Sequence, residues 1–330
     1  MRKPVCATLA VMMSLLFSPL SQAGQAWESY KARFFKPEGR IVDTGNGGVS
    51  HTEGQGFAML MAVANDDKAT FDKLWQWTNR ELKNKENGLF YWRYNPAESN
   101  PVADKNNAAD GDVLIAWALL KADARWHDKR YSAASDAITK ALVAHSVIRY
   151  AGYRVMLPGV QGFKLDGEVV LNPSYFVFPA WQAFAGRSHL PVWRDLIKDG
   201  KRLLGKMGSG KANLPADWVS LTSDGKLEPA KGWPPRMSYD AIRIPRYLAW
   251  SDKQSPLLTP WKAWFGQFPR EQTPAWVNVT TNEYAPYMME GGLLAVRDLT
   301  MGQPSGEPEI TSKDDYYSAS LKMLVWISAQ

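Results

Sequence analysis

The sequence predicts an all-α domain assembled from helical hairpins. Three observations point there. Apolar residues recur at spacings of three and four in about eleven segments of the 330-residue chain. Strand-like patches are few. Proline and glycine come in short clusters between the helical segments and form no long linker, so a single domain accounts for the fold.

In chain order, the first stretch stands apart. Arg2 and Lys3, an apolar run from Val5 to Leu20, and then Ser21-Gln22-Ala23 read as a secretory signal peptide of residues 1–23, cleaved after Ala23. The run is short and broken by Ser14, Ser18 and Pro19, which disfavours a transmembrane anchor. The domain then occupies residues 24–330. "QAWESYKARFF" (25–35) is its first amphipathic helix. "HTEGQGFAML" (51–60) opens another, with Thr52 or His51 near the N-cap and Glu53 in the first turn, where the helix dipole favours an acid. "DDKATFDKLWQWTNREL" (66–82), "DGDVLIAWALLKADARW" (110–126) and "KRYSAASDAITKALVAHSV" (129–147) follow. Segments 174–186, 191–206, 239–250, 260–266, 284–298 and 314–328 complete the helices. In "ADGD" Asp110 is a candidate N-cap, with Asp112 in the first turn. Strands are expected only at 154–157 and 168–171. They do not alternate with helices, so a parallel α/β sheet is disfavoured. The hairpins can stack as a solenoid or close into a ring. No strict repeat of roughly 30–50 residues is present, which weakens the solenoid. A ring would gather its loops, and any chemistry they carry, at one end.

Cys6 is the only cysteine and leaves with the signal peptide. The mature chain, about 307 residues, then has no disulfide, thiol nucleophile or cysteine metal site. Export without disulfides fits a bacterial periplasmic or secreted protein with a core large enough to stand alone. The formal charge of +6 falls to +4 without Arg2 and Lys3. No dense Lys/Arg block of the nucleic-acid-binding kind is present. His51, His127, His145 and His189 lack ligand spacing, so no metal and no cofactor is expected. The 15 Trp, 13 Tyr and 12 Phe residues hint at sugar binding, because flat aromatic faces pack against the C–H surface of a sugar ring.

Three acid-bearing stretches could carry chemistry: Glu53 in "HTEGQGFAML", Asp110 in "AADGDVLIAWALL" and Asp240 in "MSYDAIRIPRY". Asp240 and Arg243, three apart, read as a surface pair on spacing alone, but the stretch around them is otherwise apolar. The sequence has no G-x-S-x-G elbow, phosphate-binding loop or dinucleotide fingerprint. Paired carboxylates with aromatics nearby are the pattern of glycosidic acid/base catalysis.

"AADGDVLIAWALLKADARW" (108–126) resembles the signature of glycoside hydrolase family 8. "TEGQGFAM", "LNPSYF", "SYDAIRIPRY" and "DDYYSASLKML" resemble four further blocks of that family, in family order across almost the whole mature chain. One departure is Ala109, where the signature prefers Ser or Thr. The resemblance implies an (α/α)6 barrel and a secreted endo-β-1,4-glucanase, cutting internal bonds of cellulose-type glucans with inversion. It further implies that Glu53 is the general acid, Asp240 the general base, and Asp110 the residue that holds and distorts the sugar. Trp92, Tyr175, Tyr239, Arg243 and Tyr317 would line the cleft; for Trp92 and Tyr317 a core position remains the alternative. Gly54 and Gly56 would let another helix approach closely behind Glu53, and the apolar run after it would desolvate that carboxyl. The expected partner is a β-1,4-glucan, bound by a monomer with no membrane anchor after signal cleavage. Chitosanase, xylanase and mixed-linkage glucanase are rival activities of the same family. A non-catalytic glycan-binding protein is the rival outside catalysis, and the three acids argue against it.

Overall fold

The computed structural model describes residues 24–303 and 306–329; the expected signal peptide at 1–23 lies outside the described residues. Eleven α-helices lie among them: α1 Gln25–Phe34, α2 Thr52–Ala64, α3 Lys68–Glu81, α4 Ala109–Trp126, α5 Lys129–His145, α6 Phe178–Ser188, α7 Pro191–Leu204, α8 Arg243–Ser251, α9 Thr259–Phe265, α10 Gly291–Thr300 and α11 Tyr316–Ala329. Nine short strands lie in the loops: β1 Ser50–His51, β2 Arg93–Tyr94, β3 Val147–Tyr150, β4 Tyr153–Met156, β5 Glu168–Leu171, β6 Val219–Thr222, β7 Leu227–Pro229, β8 Arg236–Met237 and β9 Val277–Asn278. All pairings are antiparallel: β1–β2, β3–β4, β5–β6–β7 and β8–β9. The two expected strands are present as β4 and β5. The other seven are short pairings of two to four residues.

Burial separates the helices into two kinds. α2 buries every residue from Gly54 to Ala62, α4 every residue from Ala109 to Leu119, and most of α11 is buried on all sides. α3 and α7 bury one face only: on α7, Trp193, Leu196, Gly200 and Leu203. A helix buried all round belongs inside others, and a one-faced helix packs on the outside. Each such pair is joined by a short connection, as α2 packs on α3, α4 on α5 and α6 on α7. Further contacts run from α2 to α4, α4 to α6, α6 to α8, α8 to α10, α10 to α11, and from α11 back to α2.

Three helices start later than the spacing predicts. The segment 174–186 opens with a single 3-10 turn at Pro173–Tyr175 and becomes α-helical only at Phe178. The segment 239–250 becomes helical only at Arg243. Pro245 has no N–H to give to residue 241, and a start at Arg243 puts it in the first turn, where no intrahelical donor is needed. The segment 284–298 becomes helical only at Gly291. Residues 284–289 form a bridged loop instead, bonded back to 273–277: Ala285 donates to Trp276 O, and Met289 to Thr273 O. Asp110 is also not the cap of α4. Ala108 holds that position, its carbonyl accepting from Asp112 N at 3.2 Å, and both acids lie in the first turn.

Of the fifteen Trp residues, nine are core: Trp27, Trp77, Trp117, Trp181, Trp193, Trp261, Trp264, Trp276 and Trp326. The Trp richness therefore reports packing more than sugar binding. Among the described residues no helix is long and apolar enough to cross a membrane.

Candidate active site

Two close helix contacts bring the first two acids together. A Cβ on Gly56 of α2 would sit 2.5 Å from Leu114 Cβ on α4. A Cβ on Gly111 of α4 would sit 2.0 Å from Thr52 Oγ1 and 3.0 Å from Glu53 N on α2. Only glycine permits this approach, and it sets the first turns of α2 and α4 side by side with Glu53 and Asp110 in them. His51 caps α2: its Nδ1 accepts from Gly54 N at 3.1 Å, while Nε2 faces Asp43 Oδ2 at 3.2 Å. The proton therefore sits on Nε2, donated to Asp43. The expected His51 cap of α2 and the close approach are both found.

The third acid comes from the turn before α8. Ser238 to Ala241 form a tight turn, with Ile242 N donating to Ser238 O at 3.0 Å. Arg243 follows as the first residue of the helix, buried to 3% exposure. Its Nη2 donates to Asp240 Oδ1 and to Ser174 Oγ, each at 2.8 Å. Its Nη1 is in contact with Glu53 Oε2 and lies 3.9 Å from Asp110 Oδ2. In the pair read as a surface contact from its spacing, Arg243 is thus buried and Asp240 half-buried, and one guanidinium gathers all three acids. The surroundings of Glu53 include this cation as well as the expected apolar run.

All eight residues singled out from the sequence line one open cavity of about 390 Å³: Glu53, Trp92, Asp110, Tyr175, Tyr239, Asp240, Arg243 and Tyr317. Trp92 and Tyr317 are not core. The backbone of Trp92 is tied to α2 through Thr52 N, which donates to Trp92 O at 2.9 Å, and its indole N–H donates to Asp104 Oδ2 at 2.7 Å. Tyr317 donates its hydroxyl to Tyr239 O. Asp43, His51 and Asp315 also line the cavity and carried no chemical signal in the sequence. Beyond Tyr239 and Tyr317 a second hollow of about 490 Å³ continues the surface past Tyr287 and Lys313. On the other side Tyr175 meets Trp218 edge-on, and Trp218 stacks between Phe163 and Trp233.

Three negative groups around one positive group cannot all ionise cheaply. Burial pushes the Asp110 carboxyl up to about 7, against the N–H groups that bond it. Burial, then the charges of Asp217 and Asp110, push Asp240 up to about 7, while Asn172 and Trp218 pull it back. Burial also lifts Asp112 to about 7; it holds Phe90 N and Asn107 Nδ2 and faces away from the cavity. The cluster therefore exchanges protons near neutral pH, as an acid/base catalyst must. Among the described residues no group of His, Cys, Asp and Glu side chains is arranged to hold a metal ion.

The family model of glycosyl hydrolases family 8 matches residues 1–330. An endoglucanase from Cellulomonas uda is 61% identical over 312 residues, covering 94% of this chain and 87% of its own. A probable endoglucanase from Novacetimonas hansenii is 39% identical over 307 residues, covering 92% of this chain and 90% of its own. The crystal structure of a family 8 endoglucanase from Klebsiella pneumoniae is 67% identical, with a TM-score of 0.91, and covers 92% of this chain and 98% of that one. A match of this extent, on a chain whose acids meet in one aromatic-lined cleft, makes the protein a member of glycoside hydrolase family 8.

Proposed function

We propose that the protein is an exported, monomeric endo-β-1,4-glucanase that hydrolyses cellulose-type glucans with inversion, on a closed (α/α)6 barrel. It is a glycoside hydrolase of the cellulase type, as its relatives' names and family say. The barrel reading is supported by the run of contacts from α2 through α4, α6, α8, α10 and α11 back to α2. Export rests on the basic, apolar, small-residue pattern of residues 1–23.

The observation that carries the mechanism is the set of three carboxylates on the Arg243 guanidinium, open to a cleft. Glu53 donates a proton to the leaving glycosidic oxygen. Asp240 takes a proton from water on the opposite face of the sugar, and that water attacks the anomeric carbon. Asp110, buried behind them, holds and distorts the sugar at the cleavage point. One Arg243 charge neutralises one of the three acids. The remaining pair competes, so the set holds a proton at working pH while Asp240 is free to accept one. Trp92, Tyr175, Tyr239 and Tyr317 offer faces to successive sugar rings.

The test is carboxymethyl cellulose viscometry beside a reducing-end assay. Viscosity should fall well before reducing ends accumulate, because internal cuts halve long chains. Glu53→Gln and Asp240→Asn should each lower turnover about a hundredfold or more, with glucan binding retained. Terminal disaccharide as the sole early product, or faster turnover on xylan or chitosan than on glucan, would contradict the reading.

A further inference from the structure

The turn that carries Asp240 is held by an acid outside the cleft. Asp217 lies two residues before β6. Its Oδ1 accepts from Ser238 N at 2.9 Å and from Ala241 N at 2.8 Å, and its Oδ2 accepts from Ser238 Oγ. The Asp217 backbone is itself fixed, its N–H donating to Arg236 O at 2.7 Å. The sheet explains its place. Leu171 at the end of β5 pairs with Val219 at the start of β6, so Asn172 and Asp217 leave the sheet at the same end. Asn172 reaches Asp240 Oδ2 at 3.2 Å, and Asp217 holds the turn on either side of it. Asp217 is absent from the cavity lining.

We propose that Asp217 is a positioning residue for the hydrolysis: it splints the Ser238–Ala241 turn so that Asp240 faces the cleft, and it stands behind Asp240 as a second negative charge. The inference rests on the reading of Asp240 as the base. Two of the three partners of the Asp217 carboxyl are backbone N–H groups, which can only donate, and both fall on Oδ1, which suits a carboxylate. Burial raises Asp217 above the usual carboxylate range, and these donors pull it only part of the way back. The groups facing Asp240 are Arg243 of α8, Asp217, Asn172 and Tyr175 after β5, Asp110 of α4, Trp218 and Tyr317 of α11. Arg243 favours its ionised form; Asp217 and Asp110 oppose it. Removing the Asp217 charge therefore lets Asp240 ionise at lower pH.

The test is the pH profile of kcat/KM with separate kcat and KM, on wild type, Asp217→Asn, Asp217→Ala and Ser238→Ala, each first shown to melt cooperatively. Asn keeps an acceptor for Ser238 N and Ala241 N, and Ser238 Oγ can accept from its amide. Its acid limb should move down by about one pH unit with only a small loss of kcat. Ala also releases the turn, and kcat should fall about tenfold or more with KM within about twofold. Ser238→Ala should lower kcat less and leave the limb where it is. An unmoved acid limb in Asp217→Asn, with an Asp217→Ala kcat within about twofold of wild type, would overturn the inference. Asp240→Asn run alongside separates the two readings. If it is inactive while the Asp217 variants behave as wild type, only the role of Asp217 fails. If it keeps more than about a tenth of the activity, Asp240 is not the base and both fail.

Discussion

Asp110 shows what the site costs the fold. Its side chain is buried at the start of α4, and burial lifts it to about 7 from an unfolded value near 3.9. The folded protein thus binds a proton there that the unfolded chain has released between those two pH values. Stability contributed by that proton is fully present below about pH 4, falls as pH rises toward 7, and is gone above it. Asp110→Asn removes the ionisation and keeps an oxygen for Gly111 N, which Asp110 Oδ1 accepts at 2.8 Å. The variant should melt at least about 2 °C above wild type at pH 8, match it at pH 4, and be nearly inactive at both. Equal melting differences at the two pH values would contradict this account of Asp110. The trade is the expected one where a charged group is buried for chemistry and not for packing.

At the scale of elements, the contact between α2 and α4 decides whether Glu53 and Asp110 share a cleft. Gly111→Ala drives a methyl group into Thr52 and the Glu53 backbone, so the two first turns must part. It should cost about 1–3 kcal/mol and lower kcat by about tenfold. Gly186→Ala on α6 is the control, since nothing lies within 4 Å of its Cβ position. It should stabilise by roughly 0.5–1 kcal/mol, because alanine is the better helix former, and leave kcat unchanged. Denaturant melts with parallel assays check both; a neutral Gly111→Ala would mean the helices are not in tight register. The helices were legible in the sequence where one face is apolar over several turns, as in α3, α5 and α7. They were misjudged where tertiary pairing overrode spacing. Residues 284–289 have helical periodicity but bond to 273–277, and Pro245 moves the start of α8 beyond Asp240.

For the molecule as a whole, the site was more legible than its supports. Glu53, Asp110 and Asp240 sit in distinctive blocks, and Arg243 falls in the same block as Asp240. Asp217 in "PADWVSL" carries no spacing signal, because its partners come from a turn 21 to 24 residues later. Asp43 joins His51 in the same way, through the fold and not through a motif. Aromatic content misled in part, since most tryptophans pack the interior. The mechanism proposed for the whole arrangement is a single displacement: water activated by Asp240 on one face, a leaving group protonated by Glu53 on the other, and no covalent bond to the protein. An inverting pair leaves roughly 6.5–9.5 Å between its carboxyl groups for that water. Proton NMR of freshly cleaved cello-oligosaccharide, recorded before mutarotation, tests this most directly. The account predicts the α-anomer as the first new reducing end; the β-anomer would mean retention, a covalent intermediate on Asp110 or Asp240, and a different mechanism.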